Sequence, residues 1–345
     1  MTLRCAAFNT GPDFHLLDHI APLSSLMNMP LYTTEEKNSK LALHYYPQVE
    51  IRYEPDLEFK LKNLSEEFDA LFECKYWAPH LSSLFRQLYK KEMHLVFCPH
   101  GQSDKGFKAP LLAPYAQQDA VLLYGDLLIE MLKELGIWTS ISRYAIVGNY
   151  RLQFYKKHQA FYDALAEKEI FSRLDQKKPT LLYAPTWMDA DRSTSFFDCG
   201  RSIIDQLPSH WNLILKLHPL LEQRDPSRYY PLESLVESKP NAVLITEFPP
   251  VYPLLSRVDA YLGDSSSVGY DFLKFQKPLF FFPTKNLGRI HSCGTVLSSI
   301  ENIFPALEKQ ISPSIQKKQR DLYDFSFGPP LSEETIRQRI FALLA

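Results

Sequence analysis

Short apolar, β-rich runs alternate with helical segments along nearly the whole of this chain. That alternation restricts it to parallel α/β architectures, in which helices cover both faces of a buried sheet. In the first half, strands are predicted at Leu3–Phe8, Val49–Tyr53, Ala70–Glu73, His94–Cys98, Ala120–Tyr124 and Ala145–Val147. Helices are predicted there at Leu16–Met27, Leu81–Lys91 and Asp126–Leu135. The second half carries strands at Thr180–Ala184, Leu213–Leu217, Ala242–Thr246, Ala260–Gly263 and Pro278–Phe282, with helices at Arg201–Gln206, Val251–Arg257 and Ser266–Phe275 between them. A chain of 345 residues exceeds one ordinary hydrophobic core, so two α/β domains are expected. The charged, helical run before Lys177-Lys178-Pro179 suits a connector, because proline breaks the preceding helix. We therefore expect domains at 1–152 and 179–313, a helical linker at 153–178, and a helical tail at 314–345 that could cross back to the first domain.

Charge excludes some partners. The net charge of −2 and the 23% of charged residues offer no bulk attraction for nucleic acid or an anionic membrane. Five scattered cysteines without CxxC spacing argue against a disulfide framework or a zinc site and fit a reducing compartment. The N-terminal apolar run is too short for a signal peptide, and no stretch approaches the roughly 20 apolar residues of a membrane span. A cytoplasmic protein is expected, with room for peripheral association at the inner membrane face. Its oligomeric state is not encoded in any feature of the sequence.

Four strand ends carry polar chemistry. In Leu262-Gly263-Asp264-Ser265-Ser266-Ser267 a strand runs into a glycine turn and then a helix. Glycine permits a tight turn, and hydroxyls with backbone N–H groups at a helix N-terminus suit a diphosphate. A plain helix cap by Asp264 or a serine fits the same residues. In Leu215-Lys216-Leu217-His218-Pro219 the proline stops the strand, leaving His218 at the sheet edge with Lys216 nearby. In Tyr183-Ala184-Pro185-Thr186-Trp187, Thr186 can offer a hydroxyl, and Trp187 can stack on a ligand or simply pack. In Cys98-Pro99-His100-Gly101-Gln102-Ser103-Asp104, His100 is suited to general-base work, the unperturbed imidazole pKa being near ~6.5. Asp104 is its candidate orienting partner, or a second base. Together the four motifs fit a cleft between two sheets with facing carboxyl edges.

These motifs, in this order, resemble the CDP-glycerol glycerophosphotransferase family of teichoic-acid-type polymerases and primases. The likeness rests on Tyr183–Thr186, Lys216–Pro219, Asp264–Asp271 and Lys277-Pro278-Leu279-Phe280, with His100-Gly101 and Gly148-Asn149-Tyr150-Arg151 in the first half. It implies a GT-B-like fold, two Rossmann-like domains facing each other across a cleft, with the second domain holding the nucleotide-diphosphate donor. It implies that Thr186, Lys216, His218, Gly263, Asp264, Ser265, Ser266 and Ser267 bind that donor. His100, with Asp104, would take the proton of an acceptor hydroxyl as glycerol phosphate is transferred and CMP released. Neither metal nor cofactor is required if histidines, hydroxyls and a helix dipole balance the developing charge. The sequence departs from the family where Gln102-Ser103-Asp104-Lys105 replaces Thr-Pro-x-Lys, and where Arg192 comes late after Thr186. A sugar transferase or nucleotide-sugar epimerase on the same scaffold, and a non-catalytic nucleotide- or partner-binding descendant, are the rival readings. An epimerase would need further carboxylates, for which Glu247 and Asp271 are the candidates.

Overall fold

A computed structural model describes residues 3–104, 108–187, 194–282, 287–299 and 303–345. Lys105 and Arg192, singled out above, lie outside the described residues. The chain divides into two compact units. Unit 1 comprises residues 1–101, 108–157 and 325–345, and unit 2 comprises 102–107 and 158–324.

Unit 1 is built on a seven-stranded parallel sheet. Its strands are β1 (Cys5–Asn9), β2 (Leu31–Thr33), β3 (Ile51–Tyr53), β4 (Ala70–Glu73), β5 (His94–Phe97), β6 (Ala120–Leu123) and β7 (Tyr144–Ile146), in the order β3-β2-β1-β4-β5-β6-β7. Strands β1, β4 and β6 are buried at every position, which is why β6 reads as an unbroken apolar run and β1 and β4 as apolar runs closed by Asn9 and Glu73 rather than as alternating ones. β2 escaped the sequence reading because it is three residues long and follows Pro30. The helices Pro313–Phe327 and Glu333–Leu344 flank Gly328-Pro329-Pro330, and Gly328 takes the left-handed φ of 69° that ends the first of them. The second helix belongs to unit 1 and packs on β7, where the Arg339 guanidinium donates to the Ile146 carbonyl at 2.8 Å.

Unit 2 repeats the plan with β8 (Thr180–Tyr183), β9 (Asn212–Lys216), β10 (Ala242–Ile245), β11 (Ala260–Gly263), β12 (Leu279–Phe281) and β13 (Thr295–Val296). All are parallel, in the order β10-β9-β8-β11-β12-β13. β13 is two exposed residues long, too short and too polar in setting to be legible as a strand. One core of unit 2 joins Leu181, Leu213, Leu215 and Leu262 of the sheet to Phe196, Ile203 and Ile204 of the helix Phe196–Asp205.

In each sheet the first strand in sequence lies inside, and the strand order reverses beside it: between β1 and β4 in unit 1, and between β8 and β11 in unit 2. At such a switch point the connections leave in opposite directions and open a crevice at the carboxyl ends of the strands, where α/β sheets bind ligands. Of the predicted fold class, two parallel α/β sheets with interleaved helices is what the structure shows.

Candidate functional site

In unit 2 the loops after β8 and β11 meet at the switch point through Asp264. This side chain is 1% exposed. Its Oδ1 accepts the Thr186 N–H at 2.8 Å, and its Oδ2 accepts the Ser195 N–H at 2.9 Å and the Ser195 hydroxyl at 3.0 Å. A carboxylate engaged by three buried donors is a brace that shapes the crevice. Asp264, expected from the sequence to bind the donor, meets these three donors within the protein.

The neighbouring groups divide by what they touch. Ser266 caps the short helix Ser267–Phe272, its Oγ accepting the Val268 N–H at 3.4 Å. The hydroxyls of Ser265 and Ser267 have no hydrogen bond among the described residues and are the groups of this loop open to a ligand. Gly263 does not take a left-handed turn conformation. Glycine is needed because a Cβ there would stand 2.3 Å from the Tyr261 hydroxyl, whose O–H donates to the Ala184 carbonyl at 3.1 Å.

His218 ends the segment after β9 as the cap of the helix Pro219–Arg224. Its Nδ1 accepts the Leu220 N–H at 3.2 Å. Nδ1 therefore carries no proton, and the neutral ring holds its proton on Nε2 as a donor. The ring lies 6.5 Å from that of Trp187, which in turn carries the Arg224 guanidinium 5.1 Å from its centroid. Trp187 is thus packed within the site's rim. Lys216 donates to the Phe248 carbonyl at 2.7 Å, tying the ends of β9 and β10 together.

Asp104 belongs to unit 2. Its Oδ1 accepts the Tyr270 hydroxyl at 2.5 Å and its Oδ2 accepts the Arg289 N–H at 2.6 Å. Gly288 is required beside it, since a Cβ there would meet Oδ1 at 2.3 Å. Burial, then the charge of Asp104, pushes the Tyr270 phenol well above its ordinary range, so it stays a donor. These two bonds engage both oxygens of the Asp104 carboxylate. They staple residues 102–104 to the region of Tyr270 and Arg289.

In unit 1, His100 follows β5, and its Nδ1 pairs with the Cys74 carbonyl at 2.9 Å. A carbonyl can only accept, so Nδ1 carries a proton, and in the neutral ring the basic lone pair is on Nε2. Behind it, the Tyr124 hydroxyl donates to the Pro99 carbonyl at 3.2 Å and pairs with His19 Nδ1 at 2.8 Å. Burial, followed by the charge of Arg151, drives the His19 pKa well below 6.5.

The sequence reading missed the unit 1 switch point. There the Glu73 carboxylate at the end of β4 accepts the Thr10 hydroxyl and, at 3.3 Å, the Thr10 N–H. Burial raises its pKa, opposed by the Thr10 bonds and by Lys75. Lys75 pairs with Asp13 at 2.7 Å and donates to the Thr10 carbonyl at 2.6 Å. Only strand order picks out Glu73, because its sequence neighbours form no motif. Of the two further carboxylates considered, Asp271 accepts the Tyr252 hydroxyl at 2.6 Å in the core, and Glu247 is exposed. Among the described residues no helix is long and apolar enough to cross a membrane, and no group of three or more His, Cys, Asp or Glu could hold a metal ion.

Comparison with known proteins adds lineage to this geometry. Residues 144–306 match the family described as CDP-Glycerol:Poly(glycerophosphate) glycerophosphotransferase. The chain is 29% identical over 118 residues to the teichoic acid glycerol-phosphate primase of Bacillus subtilis (strain 168), a stretch covering 34% of this chain and 29% of that protein. The match thus spans under a third of that relative. Among solved structures, the wall teichoic acid polymerase TagF is similar with a TM-score of 0.65 at 14% identity, over 99% of this chain and 88% of that one. The S. aureus MnaA–UDP co-structure gives 0.66 at 13% identity, over 100% and 98%. The UDP-GlcNAc 2-epimerase of Neisseria meningitidis gives 0.63 at 12%, over 99% and 100%. At such identities these structures establish the fold, the GT-B-like one expected from the sequence.

Proposed function

We propose, from the match of residues 144–306 to the CDP-glycerol:poly(glycerophosphate) glycerophosphotransferase family, that this chain transfers glycerol phosphate, or a related alcohol phosphate, from a CDP-linked donor to a hydroxyl acceptor. The observation that carries the reading is the unit 2 switch point. The ends of β8 and β11 are braced there by Asp264, and this lies within the family-matched segment.

In this reading the donor diphosphate sits against the Ser265 and Ser267 hydroxyls and the His218 Nε2–H. Thr186, Lys216, Gly263, Asp264 and Ser266 shape and hold that seat. The acceptor oxygen attacks the phosphorus of the glycerol phosphate, and the bond from that phosphorus to the oxygen of CMP breaks. The acceptor proton passes to His100 Nε2, and CMP leaves with its charge met by donors of unit 2. We place the activity in the cytoplasm, with peripheral association at the inner membrane face. The solved TagF structures include one soaked with CDPG, a donor of the class this reading requires.

A second reading, a UDP-sugar enzyme, draws on the fold likeness to MnaA and the Neisseria epimerase and on the buried Glu73 carboxylate. Calorimetric titration with CDP-glycerol, CDP, UDP-sugars and GDP-sugars separates the two. Preferred binding of CDP-glycerol that is lost in His218→Ala supports the transferase, and preference for a UDP-sugar overturns it.

A further inference from the structure

Gln102 is a polar side chain whose hydrogen bonds the fold leaves unmade. It is 3% exposed, and among the described residues neither its amide oxygen nor its amide nitrogen has a partner. Sealing a primary amide from water without partners costs folding free energy. Its neighbours fix where it lies. Ser103 donates its hydroxyl to the Ser265 carbonyl at 2.9 Å, and Asp104 is stapled to Tyr270 and to the Arg289 N–H. Residues 102–104 are therefore part of unit 2, stitched along the loop that carries the unpartnered Ser265 and Ser267 hydroxyls. One peptide step of about 3.8 Å separates Gln102 from the anchored Ser103.

We propose that Gln102 is a specificity-determining residue of the donor site, holding the phosphorylated-polyol half of the donor. This rests on the donor-site reading above and deepens it. A primary amide offers a donor and an acceptor side by side. The N–H donates to a phosphoryl oxygen, while the carbonyl accepts from a polyol hydroxyl. A bare nucleotide lacks that hydroxyl and leaves the carbonyl unmatched, so the amide distinguishes the loaded donor from CDP.

The experiment compares wild type with Gln102→Leu and Gln102→Glu. Each is titrated with CDP-glycerol and with CDP, and the melting temperature is read without ligand. Expected are an unliganded Gln102→Leu that melts at or above the wild-type temperature and an affinity for CDP-glycerol lowered about tenfold or more, with CDP affinity lowered distinctly less. Gln102→Glu, which cannot donate, is expected to lose CDP-glycerol affinity as well. CDP-glycerol binding at wild-type strength in both variants overturns the proposal. So does a lower melting temperature with both ligands weakened equally, which is the signature of an amide bridged by structural water. If wild type itself binds neither ligand, the donor-site reading falls, and the role of Gln102 with it.

Discussion

Replacing Asp264 by alanine separates a brace from a ligand. The variant strips partners from the buried Thr186 N–H, the Ser195 N–H and the Ser195 hydroxyl. A buried donor left unpaired costs ~1–3 kcal/mol, and bonds to a charged acceptor lie toward the upper end. Serine can rotate its hydroxyl, so the two backbone N–H groups dominate, and a loss of about 3–5 kcal/mol is expected. Asp264→Asn keeps one carbonyl oxygen but turns an NH2 toward an N–H, so it should recover less than half of that loss. Urea unfolding, followed by a probe in unit 2, reads the difference as a shift in midpoint at constant slope. Donor affinity should fall in step with the disordering of the loop, and stabilising osmolytes should partly restore it. An Asp264→Ala protein with a wild-type midpoint and no donor binding would refute the reasoning and return Asp264 to the ligand-contacting set.

Three further outcomes follow from the geometry. His100→Asn should retain donor binding while CMP release in the presence of acceptor falls by roughly 10²–10⁴-fold, the range of a lost general base; turnover near wild type would remove His100 from the chemistry. Tyr270→Phe removes the phenol from Asp104 and should lower stability by about 1.5–3 kcal/mol, measured by chemical denaturation; a neutral result would show that the Asp104 staple does not contribute to stability. For His19 the folded pKa lies well below 6.5, so below that pH the unfolded chain binds the extra proton and stability falls with acidification. His19→Gln should flatten this acid limb of a stability-against-pH curve, and an unchanged limb would show that His19 is not responsible.

The periodic features of this protein were legible because they are local. β4 and β11 coincide with their sequence-predicted runs at Ala70–Glu73 and Ala260–Gly263, since a strand covered on both faces is largely apolar, as both are up to their carboxyl ends. His218 was placed at a strand end by Pro219, and it sits there as a helix cap. The roles of Asp104 and Asp264 were not legible. A carboxylate in a polar loop reads as chemistry, and only its distant partners, Tyr270 and Arg289 for one and Thr186 and Ser195 for the other, reveal a brace. Glu73 carries no motif and Gln102 stands where the His100 loop departs from the family pattern, and their interest comes from strand order and burial, which exist only after folding.

By itself, then, the sequence determined what short-range physics dictates: two runs of buried parallel strands, the helices between them, and the polar residues that end those strands. Tertiary structure decided which strands became neighbours. Reversal of strand order beside β1 and β8 set Thr10 against Glu73 and Thr186 against Asp264. It also decided that residues 102–104, contiguous in sequence with the unit 1 loop of His100, fold with unit 2. Such pairings depend on hydrogen bonds between groups 63, 78 and 162 positions apart. No local pattern encodes them, because their partners meet only when the sheets have formed.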